Sequence, residues 1–249
     1  MPSQDQSQSP AEFDAFASDE DYEAALNEGL KISGEERDFF AEGRVRWLNS
    51  WLGRQHPSSS KPLSCLDFGC GTGDTGPLLL ELIDGLEKVV GTDESEASMD
   101  TARDRHGAVS GLSFAQASET TQTTQHGIAY TNGVFHHILP DQRPEAARVV
   151  FDALEPGGHF AFWENNPWNP IVRLAMARVP FDADAIMVWP SQAMTLLREA
   201  GFEVQAPRYL FFFPRFLKLL RPLEPMLARF PMGGQYVIMA TKPTSNETS

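Results

Sequence analysis

The sequence predicts an α/β protein: a parallel sheet with helices on both faces. Three observations predict it. Between residues 63 and 164, short β-rich runs alternate with helical patterns, and parallel neighbours need such crossovers. The first run leads through a glycine turn, LDFGCGTGD at 66–74, into a helical pattern. The second run ends in an acid, Asp93, 24 residues beyond Gly69.

The elements follow in order. Residues 1–17 read as a flexible acidic N-terminus, with Phe13 and Phe16 as possible anchors. Two helices come next, each opened by a Ser-x-x-acid capping box: Ser18 with Asp21, then Ser33 with Glu36. The second carries Phe40, Trp47, Leu48 and Trp51 on one stripe and ends at Gly53. The helical part, 18–53, precedes the sheet and is expected to act as a lid. The main domain is 54–242, opening with the loop RQHPSSSK at 54–61. Strands are expected at 63–68, 88–92, 112–116, 128–132 and 159–164, with helices near 76–86, 96–105 and 144–154. Residues 165–190 break the rhythm with four prolines and many aromatics, and read as an insertion at the fifth strand's carboxyl end. A helix capped by Ser191 and stopped by Gly201, the run 202–213, an amphipathic stretch to Phe230 and a strand at 235–241 complete the domain. Residues 243–249 read as a disordered tail.

Composition bounds the function. A chain of 249 residues buries enough surface to need no staple. Thirty-four acids against twenty bases give −14, which argues against a nucleic-acid partner, because replacing phosphate counterions takes cations. The charge is uneven: residues 1–42 hold twelve acids and two bases, while 204–242 hold six bases and one acid. The basic amphipathic stretch 214–230 reads either as a cover over the sheet or as a segment touching a membrane surface or lipid-like substrate. Its apolar runs fall short of the ~18 residues of a span, so no stable membrane insertion is expected. The start lacks a basic n-region and an apolar h-region. Cys65 and Cys70 are a poor disulfide framework, and no His/Cys/Asp set has metal spacing, so a cytoplasmic, metal-free protein is expected.

The glycine turn carries the strongest chemical signal. Gly69, Gly71 and Gly73 give G-x-G-x-G, with Asp74 where the nicotinamide fingerprint wants its third glycine. That spacing opposes a nicotinamide oxidoreductase. An acid at 74 favours a ligand with a cationic group, and Asp93 is placed to accept two hydrogen bonds from a ribose diol.

These residues resemble the class I S-adenosylmethionine-dependent methyltransferases over about residues 35–241. The resemblance implies a Rossmann-like, seven-stranded, mostly parallel sheet of order 3-2-1-4-5-7-6 with the last strand antiparallel. It implies S-adenosyl-L-methionine as cofactor, held by Asp67, Gly69, Cys70, Gly71, Gly73, Asp93 and Glu94. FAQAS at 114–118 matches the adenine-contacting segment, with Ser118 where the family often has Asp. YTNGVFHHI at 130–138 puts Asn132 beside the cofactor's methionine end, and LEPGGHFAFWE at 154–164 matches the Pro-Gly-Gly turn and fifth strand. ENNPWNP (164–170) and PFDADA (180–185) resemble a small bacterial subgroup with a Glu-His-Asn-Pro-x-Asn-Pro run.

In an open α/β sheet the acceptor gathers at the strands' carboxyl ends. Candidate catalytic residues there are His136, His137 and Glu164, since histidine holds a neutral base near pH 7. Trp163, Asn166 and Trp168 are candidates to bind a small, partly apolar acceptor, with Trp189 and Phe211–Phe213 nearby. The expected reaction is in-line methyl transfer to that acceptor. The alternative is a module that keeps the cofactor pocket without catalysis.

Overall fold

The computed structural model describes residues 33–55, 63–116, 125–177 and 185–244. The expected helix near 18–32, the 1–17 arm, Ser118, most of PFDADA and residues 245–249 lie outside them.

Five strands form the parallel part of the sheet: β1 (Leu63–Phe68), β2 (Leu86–Asp93), β3 (Leu112–Gln116), β4 (His126–Asn132) and β5 (Leu154–Asn165). β8 (Gln235–Thr241) runs antiparallel to β5, and the order is β3-β2-β1-β4-β5-β8-β6. The run 202–213 is not one strand but two short ones. β6 (Glu203–Val204) and β7 (Arg208–Leu210) pair in turn with the two ends of β8, so among the described residues the sheet has eight strands rather than seven. Pro207, which has no N–H to give a ladder, stands where the run breaks.

Side chains alternate along each strand, and this sorts the core into two layers. Cys65, Ile128, Tyr130, Ala161, Trp163, Val237 and Met239 face one way, against α1 (Arg37–Gln55) and α2 (Thr75–Leu82). Leu66, Ala129, Phe160, Phe162, Tyr236 and Ile238 face the other way, against α4 (Arg143–Ala153) and α6 (Pro190–Glu199). Between these helices in sequence lie α3 (Glu96–His106) and α5 (Pro170–Met176).

Helix α1 is a structural layer rather than a detachable lid. Val45, Leu48, Trp51 and Leu52 are buried in the sheet's core. It runs opposite to β5: Arg44 reaches Tyr130 and Gln235, Trp47 meets Trp163 and Trp51 meets His159. Only its first turns therefore lie over the strands' carboxyl ends. Ser33 accepts from the Glu35 N–H, and the helix passes Gly53 to end at Gln55.

The α6 cap also differs from expectation. Trp189 is the cap residue, Pro190 takes the first turn, where its missing N–H costs nothing, and Ser191 is an exposed helical residue.

Trp163 is wholly buried, with its indole edge-on to Trp47 at 5.5 Å. It is a core residue, which corrects its expected place in the acceptor pocket. Trp163→Ala should lower stability by about 3–5 kcal/mol. Urea unfolding checks this; an unshifted midpoint contradicts the packing role.

Candidate active site

The glycine turn leaves β1 in a left-handed path. Gly69, Gly71 and Gly73 have φ of 72°, 54° and 79°, which side chains resist. Gly69 and Cys70 donate to the Thr92 carbonyl at 2.8 and 2.9 Å, tying the turn to β2. A Cβ on Gly69 would strike Val134, and one on Gly73 would meet Phe114 at 2.8 Å. A Cβ on Gly71 would meet nothing within 4 Å, so this part of the turn opens onto free space.

Asp93 shapes the turn. Its Oδ2 accepts from the Gly71 N–H at 2.8 Å and its Oδ1 from the Ser95 N–H at 2.9 Å. Burial raises its carboxyl above the ordinary carboxylate range, opposed by the bonds from Ser95, Gly71 and Glu94. Ser95 in turn caps α3, accepting from Ser98. Glu94 is exposed beside it. Cys70 is half-buried, with its thiol 3.9 Å from the Met99 sulfur.

Asp74 does not mark a cation-seeking ligand, contrary to expectation. Its carboxylate is already held by Arg37 at 2.9 Å, His106 at 2.9 Å, Thr72 at 2.9 Å and Arg105 at 3.7 Å. It clamps α1, the turn and α3 together.

A polar cluster crosses the carboxyl ends on the α1 face. Arg44, 6% exposed, donates to the Tyr130 hydroxyl and to Gln235 Oε1, each at 3.0 Å. Gln235 Nε2 donates to Asn132 Oδ1 at 3.3 Å and to Asn165 Oδ1 at 3.2 Å. Asp67 lies on the same face, 3% exposed, and its Oδ2 has no partner among the described residues. Burial first, then the Asp93 charge, push its carboxyl up to about 7, against the pull of Arg44. A buried acceptor without a donor is rare and points to a missing partner.

Glu164 belongs to the opposite face of β5. It is fully buried, with Oε2 2.6 Å from His136 Nδ1 and Oε1 accepting from the His136 N–H at 3.3 Å. His136 is 4% exposed; the half-buried His137 ring lies 4.2 Å from it. The structure thus brings all three catalytic candidates together, but as a buried pair with one more open neighbour. Arg143 fixes this loop, donating to the carbonyls of Ile138 at 3.0 Å and Ile186 at 2.6 Å.

Asn166 is not placed to bind an acceptor. It is fully buried and braces the chain: Nδ2 donates to the carbonyls of Gly233 and Pro231, and Oδ1 accepts from Trp168 N–H. Trp168 is 56% exposed and edge-on to Trp189 at 5.0 Å, so it remains open to a partner. Phe211 packs against Phe39 and Phe40, as a core residue would.

Sequence reasoning passed over Arg44, Tyr130, Gln235 and Arg143. For Arg44 a signal existed: it stands four residues after Phe40 and four before Leu48, on the apolar stripe itself.

This turn, sheet order and antiparallel last strand agree with the comparisons. Residues 66–160 match the family model described as a methyltransferase domain. The chain has the fold of the S-adenosylmethionine-dependent methyltransferases. A methyltransferase so described from Mesorhizobium loti superposes with a TM-score of 0.52 at 19% identity, over 78% of this chain and 98% of that one. The plantazolicin methyltransferase BpumL, solved in complex with SAH, gives 0.64 at 14% identity, over 94% and 95%. The [4+2]-cyclase SpnF gives 0.53 at 16% identity, over 80% and 81%. No curated protein sequence is significantly similar to the chain. Within the methyltransferase fold, then, neighbours differ in the reaction they are named for, and the reaction has to be argued from the site.

The raised Asp67 carboxyl makes stability depend on pH. Well below pH 4 it is protonated in both states. Between about 4 and 7 the unfolded chain ionises first, which draws the equilibrium toward unfolding. Stability should therefore fall as pH rises through this window and level off above it. In Asp67→Asn this component should vanish. Urea unfolding of both proteins from pH 5 to 8 checks it; parallel curves would show that Asp67 is not held protonated.

Proposed function

We propose that the chain is an S-adenosylmethionine-dependent methyltransferase acting on a small, partly apolar acceptor. One observation carries the reading: a turn open at Gly71 lies beside a buried acid, Asp67, whose Oδ2 has no partner among the described residues, and a buried cation, Arg44. An amino-acid end with an ammonium and a carboxylate suits that pair of opposite charges.

The fit extends along the site. The backbone bonds from Gly71, Ser95 and Glu94 leave the Asp93 carboxylate lone-pair capacity for a ribose hydroxyl. Glu94 is assigned to the ribose end and Asn132 to the methionine end, and Ser118, outside the described residues, keeps only its sequence-based assignment to the adenine end. Bound S-adenosylmethionine supplies a methyl group already activated by its sulfonium. The chain's own work is then to hold an acceptor, exclude water and take a proton where the acceptor keeps one. The first turns of α1 and the exposed Trp168 are assigned to the cover over the acceptor side. Two free thiols, a net charge of −14 and the lack of a helix long and apolar enough to cross a membrane among the described residues support a cytoplasmic setting without nucleic acid. The ENNPWNP run supports the subgroup resemblance as a fold brace, through Asn166 and the α5 cap Asn169.

For cofactor binding, calorimetry on the wild type should show micromolar affinity for S-adenosylmethionine and its demethylated product. Asp93→Ala removes charged hydrogen bonds worth about 1.5–3 kcal/mol each and should weaken binding at least tenfold. Arg44→Met should weaken the amino-acid end similarly. Wild-type affinity in both variants, or none in the wild type, would sink the reading. Labelled-methyl transfer against cell extract, with products identified by mass spectrometry, separates an enzyme from a binding module.

For catalysis, His137 is assigned to the acceptor's proton, because His136 and Glu164 are buried against each other. Glu164 is a positioning residue, holding His136 under the His137 ring. His137→Ala should cut the transfer step by about 10²–10⁴-fold with unchanged melting and cofactor affinity. Glu164→Gln and His136→Ala should lower melting and turnover together. An inactive but fully stable His136→Ala would move the role to His136.

A further inference from the structure

Residues 215–232 form a surface that neither the sheet nor the site explains. The sequence of Arg215–Leu223 repeats every three residues, the period of a 3₁₀ helix, and the segment is built of 3₁₀ turns with a kink at Leu217. One stripe, Phe216 and Leu219, is 80% and 87% exposed. A second, Leu217, Leu220 and Leu223, is half-exposed at 36%, 40% and 47%. The third is basic: Arg215, Lys218 and Arg221. Its ends turn inward, Arg221 to Glu35 at 2.6 Å and Arg215 to the Gly34 carbonyl, while Lys218 is exposed.

The exposure continues beyond this segment. Met226 is 83% exposed and Phe230 is 58% exposed. Asn169 Nδ2 donates to the Met232 carbonyl at 2.8 Å, which joins the surface to α5, where Ile171 and Leu174 are 56% and 50% exposed. Arg208 and Arg229 line a cleft of about 340 Å³ between Tyr209 and Pro231 at its margin. Isolated exposed apolar residues need no explanation, but a continuous set of this size does.

We propose that this face docks on an anionic lipid surface. Exposed apolar side chains rimmed by lysine and arginine are what an interfacial segment presents: the apolar stripe enters the acyl boundary and the cations meet lipid phosphates. Charge decides against a neutral surface. The chain carries −14, yet its 204–242 stretch carries six bases and one acid. On the face itself Arg208, Arg215, Lys218 and Arg229 stand against Glu224, while Arg221 is paired with Glu35, and screening at ~0.15 M salt confines attraction to about 8 Å, so these local cations set the attraction. The face adjoins β5's carboxyl end through the Asn166 and Asn169 contacts to Pro231, Met232 and Gly233, so a docked protein holds its acceptor side toward the bilayer. The proposal is independent of the cofactor reading.

Vesicle flotation of the full chain, without cofactor, tests it. Binding to phosphatidylcholine vesicles with roughly a third phosphatidylglycerol should exceed binding to pure phosphatidylcholine at least tenfold, and weaken as salt rises. Phe216→Ser with Leu219→Ser, both on exposed positions, should lose at least tenfold with unchanged melting. Lys218→Glu with Arg229→Glu should abolish the preference for phosphatidylglycerol. No binding by the wild type, equal binding to both vesicles, or full binding by the double-serine variant overturns the proposal. A dimer in light scattering that the double-serine variant converts to monomer, in a chain that leaves vesicles unbound, would assign the face to a second copy instead.

Discussion

The alternation of side chains across a β-strand divides this molecule's polar chemistry in two. On β5, Trp163 and Asn165 face α1, while Phe162 and Glu164 face α4 and α6. On β4, Tyr130 and Asn132 face α1. The sheet's carboxyl edge thus carries two clusters built from neighbouring residues of the same strands. One gathers Asp67, Arg44, Tyr130 and Gln235; the other pairs Glu164 with His136. A register slip of one residue would exchange them and carry Asp67 away from Arg44.

Charge acts locally throughout. A guanidinium at 6% exposure is tolerable for Arg44 because Tyr130 and Gln235 accept from it and because a raised but titratable acid, Asp67, lies near. Asp74 illustrates the reverse. Read alone, an acid after a glycine turn suggests an attraction for cations; in place, two arginines and a histidine already surround it. The net charge of −14 predicts neither site.

The strands were legible because their signals are local. Leu63–Phe68, Leu112–Gln116 and Gln235–Thr241 coincide with the expected runs, and the glycine turn with Asp93 follows from spacing alone. What was not legible depended on which partner a side chain meets. Trp163 and Asn166 stand next to a strand end, as acceptor-binding residues would. Only the Trp47 ring and the Gly233 carbonyl, distant in sequence, reveal them as core and brace. Likewise the 202–213 run has one strand's composition, and its division follows from where β8 offers pairing. The described part of 18–53 shows the same dependence on distant partners. Helical periodicity shows that α1 has an apolar stripe, not that the stripe is the sheet's second cover.

The two-sided arrangement also constrains how the site can work. The α1-face cluster and the Glu164–His136 pair share β5 and β4 but lie on opposite faces of the sheet. Groups without shared partners contribute nearly independently. Under the proposed function, cofactor affinity and proton transfer would therefore vary separately, with the α1 face setting the first and the loop after β4 the second. The link between them is the backbone of β4: its side chains Tyr130 and Asn132 belong to the cofactor-side network, and four residues later the same strand's loop presents His136 to Glu164. That short, covalent connection fixes the distance between the two chemistries more firmly than any side-chain contact across the sheet.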